Sequence, residues 1–111
     1  MSKRSFSVGT VLDISGVSET TNQSYALATE DHYQIRTIQV KVIGTGFSSD
    51  TVKWQVSNDG LQWTTIASDN LNATVTHAFW TYEPYWKYHQ IKVTVSGTLT
   101  DVLAVAGQIN Y

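Results

Sequence analysis

The 111-residue chain has no cysteine and a single proline, Pro84. Without thiols it can build neither a disulfide framework nor a cysteine zinc site. A secreted domain this small would usually carry disulfides, so synthesis in a reducing cytosol is expected. Charge is also scarce: 14% of residues are Asp, Glu, Lys or Arg, against about a quarter in an ordinary domain. The net charge is −2, and no basic cluster exists beyond Lys3-Arg4. That excludes the dense positive surface on which non-specific nucleic-acid binding depends. No apolar run approaches the roughly 20 residues of a membrane-spanning helix. Met1 to Arg4 lacks a following apolar h-region, so no secretory leader is read.

Catalytic signatures are missing too. His32, His77 and His89 have no metal-ligand partner at a useful spacing. Serines are plentiful, yet no Gly-x-Ser-x-Gly elbow occurs. Glu30-Asp31 belongs to no EF-hand-like ligand series. No catalytic, cofactor-binding or metal-ligating residue is assigned, and the chain is read as a non-enzyme.

What is present is strand periodicity. Val52, Trp54 and Val56 alternate with Lys53, Gln55 and Ser57, the period of a half-buried strand. Asn58-Asp59-Gly60 then supplies turn chemistry. Beyond it, Leu61, Trp63 and Thr65 share one face, and Thr64 and Ile66 the other. This hairpin predicts a β fold, with Trp54 and Trp63 in the core.

Further strands are expected on both sides. Phe6 to Ile14 places Phe6, Val8, Leu12 and Ile14 on one face, with Gly9 as a candidate bulge. Ser15 to Ser24 reads as a partner-facing loop. Tyr25 to Ala28 fits a brief strand or one helical turn, and Glu30 to His32 a turn. Gln34 to Ile43 sets Ile38, Val40 and Val42 against Thr37, Gln39 and Lys41. Ser68 to Asn72 reads as a turn. Ala73 to Trp80 is extended, with Val75, His77 and Phe79 on one side. Gln90 to Val95 turns Ile91, Val93 and Val95 inward. In the last strand Leu103, Val105 and Ile109 share one face; Val102, Ala104, Ala106 and Gln108 share a second face that is also expected to be covered. Seven or eight strands with turns every 8 to 12 residues predict a single-domain, all-β antiparallel sandwich of jelly-roll type over residues 1–111. Residues 1–5 form a short arm.

The segment Trp80 to Tyr88 stands apart. It holds Trp80, Tyr82, Tyr85, Trp86 and Tyr88 together with Pro84, which bars a central strand. Three readings fit: a plug closing one end of the core, a protein interface rich in hot-spot residues, or a platform on which sugar rings stack. Lys3, Arg4, Phe6, Trp80, Tyr82, Tyr85, Trp86 and Tyr88 are the candidate partner-binding residues.

The run Val56 to Trp63, with Ile66 after it, resembles the S-x-D-G-x-x-W hairpin of discoidin-type, galactose-binding-like jelly rolls. Tyr88 to Val93 is similar to the strand in which those domains place an aromatic and then a basic residue. This chain is shorter than they are and lacks their terminal cysteines. Val52 to Ile66 and the closing Thr94-Val95-Ser96-Gly97-Thr98 also resemble small tailed-phage virion structural proteins, which are cysteine-free and rich in Thr and Ser. The second resemblance fits more of the chain. It implies a capsid decoration or minor capsid protein, made in the host cytoplasm and located in the virion. Its implied partners are capsid subunits and sister copies in a symmetric homo-oligomer such as a trimer, with no cofactor, nucleic acid or membrane. The alternatives are a carbohydrate-binding module using the aromatic platform, with a glycan as ligand, and a phage tail or baseplate component.

Overall fold

The structure is a computed structural model and describes residues 6–29, 33–81 and 86–110. Eight strands are found among them: β1 Phe6–Ile14, β2 Gln23–Ala26, β3 Tyr33–Thr45, β4 Asp50–Ser57, β5 Thr64–Leu71, β6 Val75–Thr81, β7 Tyr88–Val93 and β8 Thr98–Asn110. They form two four-stranded sheets, ordered β1-β8-β3-β6 and β2-β7-β4-β5. The first strand pairs with the last, the second with the seventh, the third with the sixth and the fourth with the fifth, all antiparallel. The chain is thus one long ribbon, folded at the β4–β5 hairpin and rolled into a jelly-roll sandwich.

The inner faces follow the apolar period. Ile38, Val40 and Val42 of β3 meet Val52, Trp54, Val56, Ile91 and Val93 in a single core. One inner face buries the small residues Ala78, Ala104 and Ala106, and the other buries the Trp54 indole. One rim is clasped by Asp50. Its Oδ2 accepts from Ser48 N at 3.0 Å, Ser96 N at 3.1 Å and Ser96 Oγ at 2.5 Å. Burial disfavours ionisation of this carboxyl, but those hydrogen bonds outweigh it and hold its pKa below the usual value.

Several expectations need correction. The register shift in β1 lies between Thr10 and Leu12, and Gly9 pairs regularly with Ala106. The bulge splits the four apolar residues between faces. Phe6 and Val8 are exposed, whereas Leu12 and Ile14 pack against the core. The loop after β1 ends at Asn22 and is tied to β8 by Val17 N to Thr100 O at 3.1 Å and Glu19 N to Leu99 O at 3.0 Å. Tyr25 is in a strand, not a helical turn. Ser68 to Asn70 is no turn but part of edge strand β5, where polar residues face solvent at little cost. Leu61 and Trp63 fall in the β4–β5 connection; Leu61 is 83% exposed and Trp63 is half-buried. In β8 the small face is the core face, and Leu103 and Val105 point outward. Glu30 to His32 and the arm at 1–5 lie outside the described residues.

Candidate functional site

The outer face of the β1-β8-β3-β6 sheet is laid out by its strand register. Val8, Gly107, Thr37 and Thr81 form one row across the strands. Thr10, Val105, Gln39 and Phe79 form the next, and Asp13, Leu103, Lys41 and His77 the one after. Phe79 is 70% exposed, Val8 66% and Phe6 60%. The Phe6 ring covers Gly107, where a Cβ would overlap it. The His77 ring stacks on Phe79 with centroids 6.4 Å apart. Between the Val8 and Phe79 rims runs a groove of about 310 Å³ floored by Gly107 and Val105. A second hollow of about 170 Å³ adjoins it between Lys41, His77 and Leu103.

The opposite outer face, on the other sheet, has different chemistry. Ser24, Lys92, Lys53 and Ser68 form one row there. Beside them Gln90 Nε2 donates to Gln55 Oε1 at 2.7 Å, and Gln55 Nε2 donates to Thr65 Oγ1 at 3.0 Å. That face is polar and suits water. The β1-β8-β3-β6 face presents aromatic and aliphatic side chains to solvent, the arrangement that marks a contact surface.

A separate concavity, of about 470 Å³, sits at the tip of the ribbon. Trp63 and Tyr88 line it with Asp59, Lys87 and Thr29, over an apolar floor at Leu27. Lys87 Nζ lies 5.3 Å from the Tyr88 ring centroid, a cation–π contact. The turn itself is built around Asp59. Its Oδ1 accepts from Leu61 N at 2.8 Å, Gln62 N at 2.9 Å and Ser57 Oγ at 2.8 Å. The two backbone donors lower its pKa to about 2. Gly60 carries φ +74°, which the turn requires and a side chain would resist.

His89 lies behind this concavity, 3% exposed. Its Nδ1 accepts the Trp54 indole proton at 3.1 Å, so the proton of the neutral ring sits on Nε2. Nε2 is buried with no well-aligned hydrogen bond. Burial lowers the pKa to about 4, and the Trp86 backbone opposes that shift only weakly.

No protein-family model, curated protein or solved structure matches the chain. The site residues expected from sequence therefore rest on their places in the fold. Phe6 stands on the bare sheet face. Trp80 and Trp86 are half-buried and pack against the core. Tyr88 lines the tip concavity. Lys3, Arg4, Tyr82 and Tyr85 lie outside the described residues.

Sequence reasoning missed the outward role of Phe79, Leu103 and Val105. The available signal was β8, where both alternating faces are apolar and only one can enter the core. Among the described residues no group of three His, Asp or Glu side chains could hold a metal ion. None of their helices is long and apolar enough to cross a membrane.

Proposed function

We propose that the chain is a non-enzymatic structural protein of a tailed-phage virion, a capsid decoration or minor capsid protein. It adheres to capsid subunits and to sister copies through the outer face of β1-β8-β3-β6. The observation that carries this reading is the contrast between the two outer faces. One holds a glutamine and lysine lattice; the other leaves Phe6, Val8 and Phe79 in water. The hairpin resemblance and the charge-poor composition support it as well.

Magnitudes suit an adhesive. From strand spacing and rise, the face measures roughly 19 Å by 27 Å, or about 500 Å². Burying its apolar part at about 25 cal/mol per Å² yields a gain comparable to the association cost of about 4–15 kcal/mol. A single contact is weak, and many copies on a lattice hold by multivalency. An antibody against the protein is expected to label the heads of purified tailed particles, with the label lost for Phe79→Asp. Particles free of the chain would overturn the reading.

A second reading, saccharide binding, is favoured by the tip concavity. Trp63 and Tyr88 offer rings to an apolar sugar face, and Asp59 and Lys87 offer an acceptor and donors to hydroxyls. A glycan array decides it. Specific binding abolished by Trp63→Ala supports this second reading, and silence across the array removes it.

A further inference from the structure

We infer that the outer face of β1-β8-β3-β6 is self-complementary, and that a second copy of this chain docks on it about a two-fold axis parallel to the strands. The inference deepens the adhesive reading above by naming one occupant of the same face.

The argument is the placement of charge. In the row Asp13, Leu103, Lys41, His77, the acid stands on edge strand β1, and the bases stand on β3 and edge strand β6. Asp13 and Lys41 are separated by β8, about 10 Å at ordinary strand spacing. The two are thus not adjacent strand neighbours. A two-fold axis along the strands, through the middle of the sheet, exchanges β1 with β6 and β8 with β3. It sets Asp13 over the partner's His77 and one strand from the partner's Lys41. The same operation happens twice, as an isologous contact demands. It also brings each Phe79 against the partner's Thr10 and Val8. A two-fold axis across the strands would instead set Asp13 over an apolar row, leaving the charges unpaired.

Area agrees. Two faces of about 500 Å² bury about 1,000 Å² together, the lower bound for a specific interface. Aligned packing of two twisted sheets about 10 Å apart is the ordinary sandwich arrangement.

The test is sedimentation equilibrium of the purified full chain, with nothing else present. A dimer with a dissociation constant of roughly tens of micromolar is expected. Asp13→Lys and Lys41→Asp are each expected to weaken it about tenfold or more, because each swap sets like charges together twice. Both sites are exposed or half-exposed, and circular dichroism checks that the fold is kept. An equimolar mixture of the two variants is then expected to recover association to within about threefold of the native value, as a heterodimer. Phage-head labelling lost with Phe79→Asp while the native chain stays monomeric at 200 µM (about tenfold above the expected constant) overturns this inference and leaves the adhesive reading standing. Dimerisation without recovery in the mixture overturns the proposed axis.

Discussion

The Trp54 indole N–H donates to His89 Nδ1 at 3.1 Å in the interior of the sandwich. The bond joins neighbouring strands β4 and β7. An indole nitrogen can only donate, so the bond exists only while Nδ1 is unprotonated.

Burial of His89 makes stability pH-dependent with a definite sign, and protonation at Nδ1 would also break this bond. The folded-state pKa of His89, about 4, lies below the ordinary 6.5. Between those values the unfolded chain binds the extra proton. The stabilisation is complete above pH 6.5 and is lost as pH falls towards 4, amounting to on the order of 3 kcal/mol. Urea midpoints at pH 7.5 and 4.5 measure it. His89→Phe is expected to be less stable at pH 7.5, because the buried indole donor loses its acceptor. It should also show a flatter pH dependence across this window.

At the ribbon tip, Asp59 organises the reversal through Oδ1. Its carboxyl titrates near 2, below the ordinary 3.8. Its contribution is therefore present above about pH 4 and is lost only as pH falls through 2. Asp59→Ala is expected to lower the thermal midpoint at neutral pH. Asp59→Asn, which keeps an acceptor, should lower it less. A midpoint unchanged in both variants would show that the turn does not depend on these bonds.

Lys53 and Lys92 stand directly opposite one another on the hydrated face. Like charges in a cross-strand pair repel. Lys53→Glu is expected to raise stability by roughly 0.2–1 kcal/mol, with the gain shrinking in 1 M salt. Denaturant titration at two salt concentrations checks both statements.

Where alternation was clean, the residues announced their faces. Ile38, Val40 and Val42 against Thr37, Gln39 and Lys41 is the plainest case, and the jelly-roll sandwich followed from many such segments. In β8, Val102, Ala104 and Ala106 alternate with Leu103 and Val105, and both sets are apolar. The smaller set turns inward, on the face opposite the sheet that holds the fully buried Trp54. Local period cannot register that choice. β1 hid its two faces because a bulge reversed them between Thr10 and Leu12. Local period therefore groups Phe6 and Val8 of the bare face with Leu12 and Ile14, which pack against the core. Edge strand β5 looked like a turn because edge positions accept Ser, Asp and Asn that a central strand would not.

Adjacent residues on β6 provide the sharpest check of the proposed contact face. Phe79 pairs with Gln39 and points to solvent; Trp80 pairs with Ile38 and packs against the core. Phe79→Ser removes an exposed ring and is expected to change folding stability by less than about 0.5 kcal/mol, while reducing binding of a hydrophobic dye and self-association. Trp80→Ala opens the interior and should cost about 3 kcal/mol. Strands alternate strictly, so a register shifted by one residue would exchange the two outcomes. A large loss on Phe79→Ser together with a small one on Trp80→Ala would mean that the apolar face described above is in fact the core.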